Sequence, residues 1–147
     1  MNKTDIMTLD LSIVVPVYNE EENVHLLHKK LLDDLSNLSY KYEVIFIDDG
    51  STDSTFIRLK KIQMNDKRIR IIKFRRNFGK ATALNTAFRY VKGEIIITMD
   101  GDLQDDSAEI PKFIDKIKEG YDLVSGWKYP RNDPITKIIP SKFFNKL

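Results

Sequence analysis

The 147-residue chain has no cysteine, which excludes disulfide staples, thiolate metal ligands and a thiol nucleophile. It has only two histidines, His25 and His28, three apart on a helical stretch. With no further ligands beside them they compose no metal site and read as surface residues. Long apolar runs are also missing. The opening MNKTDIMTLDLS lacks the apolar core of a signal peptide, and no stretch approaches the roughly 18 apolar residues of a spanning helix. Nor does one sign of charge dominate: 24 basic against 22 acidic residues leave +2, a balance that does not ask for nucleic acid. Glycine is absent from the first strand-to-helix turn, PVYNE, which excludes the Rossmann dinucleotide fingerprint. The pair Gly79-Lys80 is not a P-loop, because Phe74 stands where the upstream glycine is required and Ala81 follows the lysine.

What is present is an ordinary soluble globular composition, 41% hydrophobic and 31% charged, sized for one domain over residues 1–147. Two hydrophobic periods alternate along it. LSIVVPVY reads as a buried strand, and residues 20–38 carry Val24, Leu27, Leu31, Leu35 and Leu38 at helical spacing. Asn19 with Glu22 three later has the form of an N-cap and capping box. YEVIFID is a second strand, followed by a helix ending near Met64, and RIRIIKF a third. GKATALNTAFRYVKG places Leu84, Ala87, Phe88 and Val91 on one helical face with Gly93 as its stop. EIIITM is a fourth strand. A last helix, capped by Ser107, striped by Ile110, Phe113, Ile114 and Ile117 and stopped at Gly120, leads to a fifth strand, YDLVSG.

Five such alternations predict an α/β fold, a doubly wound and mostly parallel sheet with helices on both faces, whose ligand lies beyond the carboxyl ends of the strands. Polarity concentrates there, in PVYNE, DDGS, RRNFGK, DGDLQ and GWKY. The fourth end is the most unusual: Asp100, Asp102, Asp105 and Asp106 fall within seven positions with no Lys or Arg among them. Two like charges about 4 Å apart repel by roughly 4 kcal/mol at an effective dielectric near 20. The cluster must therefore splay into solvent, share protons, sit in a hydrogen-bond cage or hold a cation. An extended backbone would turn Asp100 and Asp102 to one side, with Gln104 two further on, a hard oxygen set suited to Mg2+ or Mn2+ beside phosphate oxygens. A D-x-D match alone is more often a solvated turn, but a buried strand and a rim shared with DDGS and PVYNE favour a site.

SIVVPVYNEEENV, EVIFIDDGSTDST, RRNFGKATALNTAF, GEIIITMDGDLQDD and DLVSGWKY together resemble the successive blocks of glycosyltransferase family 2, over residues 11 to about 129. The MDGDLQDD form is most similar to its polyprenyl-phosphate branch, the dolichyl-phosphate mannosyltransferase and bactoprenol glucosyltransferase type. The resemblance implies a GT-A fold and a hexosyltransferase that inverts the sugar of a UDP-glucose-like or GDP-mannose-like donor. It implies a divalent metal, Mg2+ or Mn2+, on Asp100, Asp102 and Gln104, with Asp102 counted as catalytic through that ion. Pro16, Tyr18, Asn19 and Glu20 match the block bordering base and ribose, Asp49 the position that fixes the nucleoside, and Asp48 its neighbour. Lys128 follows the fifth strand where the dolichyl-phosphate enzymes commonly carry an arginine. The implied acceptor is a polyprenyl phosphate or a glycan, and the implied location is the cytoplasmic face of the membrane.

Residues 67–80, KRIRIIKFRRNFGK, hold seven basic residues and no acid. Without aromatic stacking platforms they read as the solvated face of a strand, and only Arg75, Arg76 and Lys80 can reach an anionic donor. No carboxylate stands out as a general base; a polyprenyl phosphate is already an anionic nucleophile and needs none. Asp105 and Asp106 read as supporting or solvated. NDPITKIIPSKFFNKL, divided by Pro140, reads as the start of an acceptor-side segment over 130–147, with membrane association supplied further on. Two rivals stand beside this reading. One is a haloacid dehalogenase-type phosphohydrolase, whose D-x-D follows the first strand instead of the fourth. The other is a non-catalytic nucleotide-binding domain.

Overall fold

From Leu11 to Val15 every residue of the first strand is buried, so this strand must be covered on both faces. The structure, a computed structural model that describes residues 9–126, meets that need with a parallel sheet between helices. β1 (Leu9–Val17), β2 (Tyr42–Asp48), β3 (Ile69–Lys73) and β4 (Gly93–Thr98) stand in the order β3-β2-β1-β4, all parallel. The crossovers are α1 (Val24–Leu35), α2 (Thr55–Asn65) and α3 (Lys80–Ala87), and a 3-10 turn, Ser107–Glu109, runs into α4 (Ile110–Lys118). On one face Leu11, Ile13 and Val15 meet Val24, Leu27, Leu31 and Leu35 of α1, Leu59 and Ile62 of α2, and Ile110 and Ile114 of α4. On the other, Val14, Ile45 and Ile47 meet Ala83 and Ala87, small residues that let α3 lie close.

The amino-terminal side of the sheet is closed by one buried carboxylate. Glu43 accepts from Ser12 Oγ (2.7 Å), from the Lys92 N–H (2.8 Å) and from Arg70 (2.7 Å). Burial alone would raise its pKa, but these bonds outweigh burial and hold it below the usual range. The bond from Gly93 N–H to Ser12 Oγ (2.8 Å) stitches the start of β4 to β1 in the same place.

Several expectations are corrected. The first helix begins at Val24, not at residue 20, and Asn19 does not cap it. Asn19 adopts φ 54° and accepts from Thr52 N–H (2.9 Å), so a tertiary bond takes the oxygen that a capping box would use. The third helix ends at Ala87, leaving Phe88 exposed, and Gly93 opens β4, where a Cβ would stand 2.3 Å from the Leu11 carbonyl carbon. Asp106, not Ser107, caps the turn before α4 by accepting from Ala108 N–H (3.2 Å). Residues 121–126 form no strand: Leu123 is 86% exposed, so the segment lacks a buried apolar face to hold it in a sheet. His28 is not a surface residue, since its Nε2 lies 3.1 Å from Asp66 Oδ2 and its side chain is only 12% exposed; His25 is exposed. Lys128 and the segment 130–147 lie outside the described residues.

The chain divides into two units, 1–115 and 116–147. The first contains the whole sheet and everything in the site below. Of the second, residues 116–126 are described: the end of α4 and the loop after it, with Lys116 paired to Glu119 (2.8 Å). No helix among the described residues is long and apolar enough to cross a membrane.

Candidate active site

The order β3-β2-β1-β4 reverses direction at β1, because the chain runs outward through β2 and β3 and then returns to β1's other side. A crevice opens at such a reversal, beyond the carboxyl ends of the two diverging strands. Pro16 widens it. The Val14 carbonyl accepts from Met99 and the Val17 carbonyl from Asp49, so alternation turns Pro16 toward β4, where its missing N–H leaves no further ladder bond. The pairing with β4 stops at Val14↔Thr98, and the two strands part.

The resulting cleft encloses about 260 Å3. Pro16, Val17, Tyr18 and Glu20 line it from β1, and Asp49 from the end of β2. Asn77, Gly79 and Lys80 contribute from the approach to α3, and Asp100, Gly101 and Asp102 from the loop after β4. Seven of the residues expected from sequence are therefore gathered here: Pro16, Tyr18, Glu20, Asp49, Lys80, Asp100 and Asp102. Gly101 admits no side chain, since a Cβ would meet Val17 Cγ1 at 2.7 Å and the Pro16 carbonyl at 3.3 Å.

Four expected residues lie beside the cleft without lining it. Asn19 holds the loop after β2. Asp48 is fully buried below; its Oδ1 accepts from Ser51 N–H (2.8 Å), and its Oδ2 finds no partner among the described residues. The Arg76 guanidinium lies 4.9 Å over the Phe78 ring. Gln104 is exposed and gives its backbone N–H to Asp102 Oδ1 (3.0 Å). The extended backbone expected from Asp100 to Gln104 is not there: the chain turns at Gly101 and Asp102, and Leu103 adopts φ 64°. Strict alternation therefore cannot place Gln104 beside the two carboxylates, although Asp100 and Asp102 still share the cleft. Asn77 was not expected; its Oδ1 shares the Gly79 N–H (3.0 Å) with Asp49, a local turn pattern that N-x-G suggests.

Asp49 acts on the wall as well as the floor. Its two oxygens accept from the Phe78 N–H (2.7 Å) and the Gly79 N–H (2.9 Å), fixing the backbone from which Lys80 starts α3. Across the cleft, the loops after β1 and β2 clasp each other. Glu20 N–H donates to Thr55 Oγ1 (2.8 Å), Glu21 N–H to Asp53 Oδ2 (3.2 Å), and Ser54 N–H to Glu21 Oε2 (3.0 Å). Burial alone would raise the Asp53 pKa, but the bonds from Thr55 and Glu21 lower it.

The four crowded carboxylates each have a separate remedy. Asp100 pairs with the Lys80 ammonium. Asp102 accepts from Gln104 as above, while Asp105 Oδ2 accepts from the Asp100 N–H (2.7 Å). Asp106 faces away to Lys30 Nζ (2.9 Å), whose hydrogen bond, with that from Ala108, holds its carboxyl below the usual range. Lys30 also pairs with Asp34 (3.1 Å), and Asp34 accepts from the buried Ser107 hydroxyl, so the far end of the acidic loop is tied to α1. Of these four only Asp100 and Asp102 line the cleft, and among the described residues no group of three acidic or histidine side chains is arranged for a metal ion.

Comparison with known proteins bears on the family and the fold. The dodecaprenyl-phosphate galacturonate synthase of Rhizobium johnstonii is 35% identical over 145 residues, covering 97% of this chain and 43% of that protein. The undecaprenyl-phosphate 4-deoxy-4-formamido-L-arabinose transferase of Salmonella choleraesuis is 38% identical over 138 residues, covering 93% and 42%. The chain thus spans less than half the length of these relatives. Among solved structures, a mannosyltransferase of Pyrobaculum calidifontis in complex with GDP-Man and Mn2+ matches with a TM-score of 0.54 at 30% identity, covering 66% of this chain and 28% of that one. The glucosyl-3-phosphoglycerate synthase of Mycobacterium tuberculosis, bound to UDP, shares the fold with a TM-score of 0.67 at 22% identity, covering 95% and 50%. The parallel α/β sheet is thus that of GT-A glycosyltransferases, as expected. The sequence model of Glycosyl transferase family 2 matches residues 12–147, and the chain belongs to that family.

Proposed function

We propose that this chain binds the donor in a transferase that moves a hexose-type sugar from a nucleoside-diphosphate sugar to a polyprenyl phosphate, with inversion. The observation that carries the reading is the cleft at the β1/β4 divergence, where Asp49, Lys80, Asp100 and Asp102 converge. Tyr18 and Glu20 border the nucleoside side, next to Asp49. The names of the polyprenyl-phosphate relatives support the acceptor class. Such an acceptor is a membrane lipid, so the whole protein would work at the membrane, on the cytoplasmic face that supplies nucleotide sugars.

Asp100 and Asp102 fit a hard divalent cation, Mg2+ or Mn2+. Both donors are carboxylate oxygens, and a positive charge, the Lys80 ammonium, already stands on one of them. Two protein ligands leave room for phosphate oxygens of a donor. When bound, such an ion neutralises charge developing on the departing nucleoside diphosphate. The chain's own residues hold and orient: Asp49 fixes the loop that delivers Lys80, and Gly101 lets the loop after β4 pack against Val17 and the Pro16 carbonyl. A phosphate oxyanion attacks without a general base, so alignment carries much of the remaining barrier.

Calorimetric titration with UDP, UDP-glucose, GDP and GDP-mannose, with and without Mn2+, tests the reading. One nucleotide pair should bind only with Mn2+, and Asp102→Asn should weaken that binding at least tenfold. Equal binding to the variant, or none to the folded wild type, would sink the proposal.

A further inference from the structure

Lys80 and Asp100 are both anchored at the backbone. The N–H groups before Lys80 are held by Asp49, and the Asp100 N–H is held by Asp105. Between these fixed points only side chains span, and they meet as an ion pair inside the cleft. The Lys80 side chain is 58% exposed and that of Asp100 32%, and so exposed a pair adds at most about 1 kcal/mol to the fold. Its consequence is for the charge within the cleft. The ammonium stands on Asp100 Oδ1, so a divalent cation on the same carboxylate meets a like charge close by, and the repulsion weakens its hold even in a partly aqueous setting. A lysine on a flexible four-carbon stem, already lining the cleft, can move to a phosphate oxygen without moving its helix.

We propose that Lys80 is a tethered counter-ion of Asp100: it suppresses divalent-cation binding to the empty cleft, and transfers to the diphosphate when donor and cation arrive together. This rests on the donor-binding reading above. It makes cation and nucleotide binding mutually dependent, since each removes an obstacle to the other, and the dependence is reciprocal.

The test titrates Mn2+ into the 147-residue chain, following the free-ion EPR signal, for the wild type, Lys80→Met and Lys80→Arg, each alone and with UDP or GDP. Thermal unfolding verifies that the variants are folded. Lys80→Met should bind Mn2+ alone about fivefold more tightly than the wild type. In the presence of Mn2+ it should bind the nucleotide about tenfold more weakly. Lys80→Arg should keep the weak metal binding of the wild type. Opposite changes in the two affinities are the signature, because a merely structural lysine would weaken both. Unchanged or weaker Mn2+ binding in Lys80→Met overturns the counter-ion, and undiminished nucleotide binding overturns the transfer. Failure of the wild type to bind UDP and GDP with Mn2+ overturns the donor reading together with the transfer, while the Mn2+-alone comparison still decides the counter-ion.

Discussion

Two glycines near the cleft separate two kinds of constraint. Gly50 adopts φ 74°, and a Cβ there would stand 2.3 Å from the Arg76 carbonyl carbon, so both conformation and space demand glycine. Gly79 adopts φ 89° with nothing within 4 Å of a Cβ, so only conformation does. Gly50→Ala should therefore destabilise by at least about 2 kcal/mol, and Gly79→Ala by about 1 kcal/mol, read as shifts of the urea midpoint at constant slope. An equal effect at both positions would contradict the described packing. At this scale the candidate site was largely legible from residue types, because Asp at strand ends in a parallel sheet has few places to point. Residue type alone does not say which Asp of DDGS faces the cleft, and only the family resemblance singles out Asp49: Asp49 lines the cleft and Asp48 is fully buried, a difference set by the turn at Gly50, which packs against the Arg76 backbone.

Between elements, the clasp joining the loops after β1 and β2 explains why the start of the first helix was misread. Asn19 looks like a local capping residue, yet its side chain serves the other loop, more than thirty positions away, as does that of Glu21. Capping rules see sequence neighbours only. The same blindness produced the fifth strand, because a short apolar run does not reveal whether a face is waiting to bury it. Thr55 is the centre of the clasp, fully buried and accepting from Glu20, which lines the cleft. Thr55→Val keeps the shape but strands that N–H, and should cost about 1–2 kcal/mol in urea unfolding. Nucleotide affinity should fall with it, since Glu20 loses its anchor; full affinity in the variant would show the clasp to be irrelevant to the cleft.

Across the whole molecule, acid stability follows from carboxylates that folding holds ionised. Burial alone would raise the Asp66 pKa, but bonds from the Arg68 side chain (2.9 Å) and backbone (3.0 Å), and from His28, bring it down to about 2. Because the folded value lies below the unfolded one, its stabilisation is complete above the usual carboxylate range and disappears as pH falls toward 2. That contribution is about 2 kcal/mol. Glu43 and Asp53 are lowered as well and act in the same direction. Urea unfolding should show near-constant stability from pH 8 to 5 and a decline below about pH 4. Asp66→Asn should be less stable at pH 7 and decline less; a parallel curve would refute this account. The α/β class was legible at this scale because strand and helix periods alternate over a hundred residues, a signal that local errors at helix ends do not erase.

The placement of β4 beside β1 also sets an order in time. The bond from Gly93 to Ser12 joins residues 81 apart, whereas β2 can pair with β1 once one helix has been made. Closing the longer loop carries the larger entropic penalty, so β1, β2 and β3 should assemble first and β4 should dock last. The acidic loop follows β4 directly, so Asp100 and Asp102 meet Lys80 only at that final step. A nascent chain therefore has no complete cleft until nearly all of the first unit has left the ribosome.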